Sequence, residues 1–105
     1  MVKVIWTESA IQDLNDIGDY ITQDSERYAA LTVERLFNSV DILEEHPNLG
    51  KMVPEFENEL IRELIRGNYR IVYHIINDLR IDIVTVHNCA RRIGNTCDFS
   101  EFEDD

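Results

Sequence analysis

Apolar positions change period along this chain, and each change marks an element. Val2 to Trp6 is a short apolar run that reads as a strand. Thr7 then supplies a helix N-cap, with Glu8 in the first turn where a negative charge suits the helix dipole. Ile11, Leu14, Ile17, Gly18 and Ile21 recur at helical spacing, which predicts an amphipathic helix over 7–23. Asp24-Ser25 is the next cap signal. Ala29, Val33, Leu36, Phe37, Val40 and Leu43 form a longer stripe that stops at His46-Pro47, because proline lacks an N–H donor and disfavours helix in the residue before it. With almost nothing between them, the two helices form an antiparallel hairpin that needs a sheet to bury its stripes. Residues 48–58 read as a loop. Residues 60–92 return to period two, as three β-branched and aromatic runs separated by Gly67-Asn68 and Asn77-Asp78, the residue types of tight hairpin turns.

Two-residue turns fix a register for this meander. Arg66 then faces Tyr69 and Ile76 faces Leu79. Ile65, Arg70 and Thr85 share one row, and Glu63, Val72 and Ile83 the next, with His87 just beyond the Arg70 row. The opposite face carries Arg62, Leu64, Tyr69, Ile71, Tyr73, Val84 and Val86, the better surface for the helices. The first face, gathering Glu63, Arg70, His74, Thr85 and His87, is expected to be exposed or half-exposed. A one-residue slip in either turn would move these groups to the other face. The expected fold is α+β, β-α-α-β-β-β, with the helical hairpin packed on one face of a mainly antiparallel four-stranded sheet. Residues 1–92 make the domain, and 93–105 an acidic tail or short helix.

Length and composition allow one core: 105 residues, 44% hydrophobic and 30% charged. No apolar run approaches a membrane span, and the N-terminal run is too short for a secretory signal. Cys89 and Cys97 do not make a disulfide framework, so a reducing, cytoplasmic setting is expected. The net charge of −11 is unevenly spread. Residues 1–50 hold three Lys/Arg against ten Asp/Glu, residues 60–92 hold six Arg against three acids, and residues 93–105 hold five acids and no base. The meander is thus a basic island in an acidic chain, which repels nucleic acid at long range yet can dock a local anionic partner.

Arg70 and His87 on one face are what a phosphodiester-cleaving site could use, the arginine for phosphate charge and the histidine for proton transfer. The competing structural reading pairs Arg70 with Glu63 across the sheet and leaves His87 at a strand end. Arg91-Arg92 could form an anion-binding corner or a solvated strand end. His87-x-Cys89 with Cys97-Asp98 fits none of the usual zinc spacings, and neither metal nor cofactor is expected. The acids at 8, 13, 16 and 19 read as a solvated helix face, and Trp6 as a core or helix-start residue.

Trp6-Thr7-Glu8-Ser9-Ala10, Asp13-Leu14, Tyr20-Ile21, Pro47-x-x-Gly50-Lys51, Arg62-Glu63-Leu64, Tyr69-Arg70-Ile71-Val72-Tyr73 and His87-x-x-x-Arg91 follow one another in an order that resembles the RelE/ParE superfamily of toxins. The resemblance implies the fold given above and a growth-inhibiting toxin of a type II toxin–antitoxin, plasmid-stabilising module, held by a cognate antitoxin. It offers two activities: ribosome-dependent mRNA cleavage in RelE- and YoeB-like members, and inhibition of DNA gyrase in ParE-like members. Arg70 matches the arginine of the RelE site. Ile61 and Glu63, however, stand where the RelE ribonuclease carries lysines, and no tyrosine follows Tyr73. The ending resembles the ParE-like one with a residue inserted. The resemblance therefore leans to a gyrase-binding toxin with no active site, its candidate functional face including Glu63, Arg91 and Arg92. The alternatives are an mRNA interferase using Arg70 and His87, and an inactive member that only binds its antitoxin.

Overall fold

A computed structural model describes residues 1–89. Strand β1 (Lys3–Trp6) leads into helix α1 (Glu8–Thr22), followed by α2 (Glu26–Asn38), β2 (Lys51–Met52), β3 (Ile61–Arg66), β4 (Tyr69–Asn77) and β5 (Arg80–Asn88). The sheet order is β1-β5-β4-β3-β2, with β1 parallel to β5 and the other pairs antiparallel. The α+β fold matches expectation, but the sheet has five strands. The fifth, β2, lies within the stretch read as loop. Two residues are too short to show an alternating pattern, so only the pairing of Lys51 with Glu63 and Met52 with Arg62 defines it.

Local signals account for the helical hairpin. Thr7 caps α1 by accepting from Ala10 N, and its hydroxyl donates to Ile83 O at 2.7 Å, tying the helix start to β5. Ser25 caps α2 through Tyr28 N. The second stripe is not one continuous helix. The α-helix ends at Asn38, and a 3₁₀ segment (Asp41–Glu44) carries the pattern on to a fully buried Leu43. Val40 and Leu43 therefore still reach the core although the helix stops well before Pro47.

Ala10, Leu14 and Ile17 of α1 and Leu36 of α2 pack with Val40 and Leu43 against Leu64, Ile71, Tyr73, Ile81, Ile83 and Val86. Burial of this apolar surface, at about 25 cal/mol per Å², is the main force joining hairpin to sheet. No helix among the described residues is long and apolar enough to cross a membrane.

The β3–β4 register is the expected one, with Arg66 opposite Tyr69 and Ile65 opposite Arg70. Gly67, at φ +60°, occupies the first central position of the turn. That is the left-handed backbone a type II′ turn requires and glycine adopts without strain. The second turn departs from expectation. It closes on Asp78-Leu79, with Asn77 opposite Arg80, so partners on β5 shift by two residues beside the turn and at Arg70–Val72, and by one residue over Tyr73–Ile75. Ile76 and Val84 are each left without a partner in the register, which makes them bulge positions. Between the bulges Ile83 pairs with Tyr73 and enters the core instead of joining the Glu63 row. Val84, expected in the core, is exposed.

Candidate functional site

The sheet face away from the hairpin gathers Glu63, Arg70 and His87, as the period-two reading requires. The shifted turn makes the meeting closer than expected: Arg70 pairs directly with His87, not with Thr85. The expectation that this face is exposed is wrong for its centre. Arg70 is 1% exposed, Val72 1% and Glu63 9%. The cause is the segment after α2. From β2 the chain carries the fully buried Val53 onto the Glu63 side of the sheet, by the alternation that sets Lys51 opposite Glu63. A 3₁₀ turn (Pro54–Phe56) then brings Glu55 over Arg70.

Arg70 is consequently held between two carboxylates. Its Nε donates to Glu63 Oε2, and its Nη2 lies 3.5 Å from Glu55 Oε2. The second contact is an ion pair without hydrogen-bond geometry, since the buried Glu55 Oε2 has no hydrogen-bond partner among the described residues. A buried guanidinium loses much hydration, and two adjacent carboxylates are what make that burial tolerable. The cross-strand diagonal from Glu63 to Arg70 is the structural reading of these residues, and it is present.

His87 is half-buried, and its Nε2 lies 3.4 Å from Thr85 Oγ1. Thr85 Oγ1 donates to Asp13 Oδ2 at 2.6 Å, and Val86 N donates to the same oxygen at 3.0 Å. Asp13 is therefore no solvated helix-face acid. It holds β5 just past the point where β1 ends and leaves that edge without a strand neighbour. Helical periodicity put Asp13 beside the apolar stripe but carried no signal for an edge strand needing an acceptor.

On the hairpin side, Tyr73 is fully buried with its hydroxyl in use. It donates to Pro47 O at 2.8 Å and accepts from Gly50 N at 2.9 Å. Arg62 Nη1 donates to Gly50 O at 2.9 Å. Burial pushes the Tyr73 hydroxyl above its ordinary pKa, and the Gly50 hydrogen bond and the Arg62 charge oppose that shift. A Cβ on Gly50 would lie 2.5 Å from Glu63 O and 2.7 Å from Tyr73 Oη, so this position admits only glycine. The Pro47-x-x-Gly50 motif is thus an anchoring point for the segment that carries Glu55 to Arg70.

Arg91 and Arg92 lie outside the described residues, as do Cys97 and Asp98 of the zinc spacing and the whole of 93–105. Among the described residues no three His, Cys, Asp or Glu side chains cluster as metal ligands. What the arrangement offers chemically is a buried, neutralised arginine beside a half-buried histidine.

The family model described as the ParE toxin of the type II toxin–antitoxin system parDE matches residues 4–93. The chain is 34% identical over 91 residues to Toxin RelE2 of Caulobacter vibrioides, covering 87% of this chain and 99% of that protein. It is 35% identical over 86 residues to Putative toxin Y4kP of Sinorhizobium fredii, covering 80% and 84% respectively. Among solved structures, the chromosomal ParDE toxin–antitoxin system from P. aeruginosa aligns with a TM-score of 0.67 at 24% identity, over 84% of this chain and 96% of that one. The toxin–antitoxin complex RelBE2 from Mycobacterium tuberculosis aligns with a TM-score of 0.54 at 23% identity, over 83% and 96%. At these identities the two structural likenesses speak for the fold.

Proposed function

Because the chain belongs to the ParE family of type II toxin–antitoxin toxins, we propose that it arrests growth by binding DNA gyrase and that a cognate antitoxin neutralises it. The observation that carries this reading is the state of Arg70. Cleaving a phosphodiester requires a cation free to meet charge as it develops on the phosphate oxygens. Here the charge of Arg70 is matched by Glu63 and Glu55, and its side chain is withdrawn from solvent. Glu63 and Glu55 would also repel an incoming phosphate backbone. A toxin that works by occupying a partner's surface needs neither a free cation nor a cofactor. Its setting is the cytoplasm, where gyrase acts, and the pair it forms with its antitoxin serves plasmid stabilisation. Arg91 and Arg92 are candidate positions for the target-facing surface.

The direct pairing of Arg70 with His87 favours a second reading, an mRNA interferase in which Arg70 binds phosphate and His87 moves a proton. That reading requires the Glu55 turn to move away.

Induced expression of the intact chain and of His87→Ala in a bacterial host, with plasmid supercoiling and transcript integrity read together, separates the two. Gyrase binding predicts arrest with altered supercoiling, intact transcripts and no effect of His87→Ala. Cut transcripts that vanish with His87→Ala would establish the ribonuclease instead.

A further inference from the structure

A polar chain runs from α1 across the far part of β5 to the ring of His87. Thr85 Oγ1 donates to Asp13 Oδ2 at 2.6 Å and lies 3.4 Å from His87 Nε2. Val86 N donates to the same Asp13 oxygen at 3.0 Å, which holds the carboxylate in place independently of Thr85. Asp13, Thr85 and His87 are all half-buried, so water competes for these contacts less than it would on an open surface. Strand alternation puts Thr85 and His87, two residues apart, on one face of β5, and the register sets His87 opposite Arg70.

The roles along this chain follow from the protons available. A hydroxyl has one proton to give and two lone pairs with which to accept. A carboxylate only accepts, and 2.6 Å is the length of a hydroxyl donating to one. The Thr85 proton is therefore committed to Asp13. Toward His87 the same hydroxyl can only accept, so Nε2 is the nitrogen that carries a proton. A neutral imidazole has a single N–H, and placing it on Nε2 leaves Nδ1 as the lone-pair nitrogen.

We infer that Asp13 and Thr85 are positioning residues that lock neutral His87 in its Nε2–H form, so that the ring meets its surroundings through Nδ1 as an acceptor. The chemistry accepted at Nδ1 follows. A neutral His87 takes a hydrogen-bond donor there, such as a hydroxyl or an amide N–H, or a proton; it turns away a carbonyl or carboxylate oxygen. When Nδ1 gains a proton, the Nε2–H contact with Thr85 is unchanged, and the Asp13 carboxylate meets the new charge through one hydroxyl. The inference concerns the ring itself, so it is independent of whether the toxin acts on gyrase or on mRNA.

Nuclear magnetic resonance of the full chain, labelled with ¹⁵N-histidine, tests it. His87→Ala identifies the His87 signals by difference, and titrating them finds the pH range in which the ring is neutral. There Nε2 should show the shift of a protonated ring nitrogen and Nδ1 that of an unprotonated one. The Nε2–H proton should itself be visible, since its hydrogen bond slows exchange with water. Thr85→Val removes the acceptor and should abolish that proton signal and let the ring average between its two forms. Thr85→Ser, which restores a hydroxyl, should recover both features. Asp13→Ala frees the Thr85 proton to point at Nε2 and should reduce the Nε2–H population. The parent spectrum decides without any variant: a protonated Nδ1, or a ring averaging between the two forms, overturns the inference. An Nε2–H signal unchanged in Thr85→Val also overturns it, because the proton would then be held by another group.

Discussion

The Oδ2 of Asp13, in the middle of α1, accepts a hydrogen bond from the backbone N–H of Val86 at 3.0 Å. The contact joins residues 73 positions apart and supplies an acceptor to β5 where β1 has run out. Thr85 Oγ1 donates to the same oxygen. Asp13 thus fixes the bulged stretch of β5 that delivers His87 opposite Arg70. Removing it strands a part-buried N–H, at a cost of about 1–3 kcal/mol. Asp13→Ala should lower stability by that amount in urea unfolding, and Asp13→Asn, which keeps an acceptor oxygen, should lose clearly less. Equal losses in the two variants would mean that charge, not the hydrogen bond, is what matters here.

Arg70→Ala is expected to be a folding mutation before it is a functional one. It leaves Glu63 and Glu55 without their cation beside a buried face, a change worth about 3–5 kcal/mol. Arg70→Met/Glu63→Leu removes charge from both partners and should recover most of that loss. Chemical denaturation of the two variants checks this, and a stability of Arg70→Ala within error of the parent would refute it.

Gly50 and Tyr73 form one anchoring unit. Gly50→Ala brings a methyl to 2.5 Å from a backbone oxygen and 2.7 Å from Tyr73 Oη, neither of them a flexible side-chain end. Overpacking of this sort costs about 1–3 kcal/mol. Tyr73→Phe leaves both Gly50 N and Pro47 O without that partner, with a penalty of about 1–3 kcal/mol. Because both changes loosen the same segment, the double variant should fall short of the sum of the singles. Strict additivity would show that the two residues act separately.

Stability should also decline in alkali. The Tyr73 hydroxyl is neutral and buried, with its pKa raised above the ordinary 10.0. Above that ordinary value the unfolded chain releases this proton while the folded chain keeps it. The Tyr73 contribution is therefore complete below pH 10.0 and is lost as pH rises from there through the folded value. Tyr73→Phe lacks the group, so its urea midpoint should fall less between about pH 9 and about pH 11 than that of the parent. Parallel pH dependence in the two proteins would dismiss the effect.

Much of this architecture is legible in the sequence because local chemistry fixes it. Thr7 and Ser25 announce helix starts, and Gly67 announces the first hairpin turn. The alternation in 61–73 places Leu64, Ile71 and Tyr73 on the core side and Glu63 and Arg70 on the other. What is not legible depends on partners far away in the chain. The Asp78-Leu79 turn and the bulges at Ile76 and Val84 change register without altering composition, and so the core place of Ile83 escapes a period-two reading. The burial of Arg70 escapes it for a different reason. The segment that covers it, Val53 to Phe56, has no periodicity, and it is held by Tyr73 and Gly50, whose contact is set only by the tertiary fold. The candidate face could be read from residue type, but its neutralisation by Glu55 could not.

The most direct test of the gyrase reading is a supercoiling assay with the purified, refolded full chain added to bacterial DNA gyrase and relaxed plasmid. The account predicts loss of supercoiling or accumulation of cleaved DNA as the chain is titrated in. It also predicts that His87→Ala acts as strongly as the parent and that a saturating amount of the cognate antitoxin restores gyrase. Unimpaired supercoiling at every concentration, from a chain that arrests growth on expression, would contradict it.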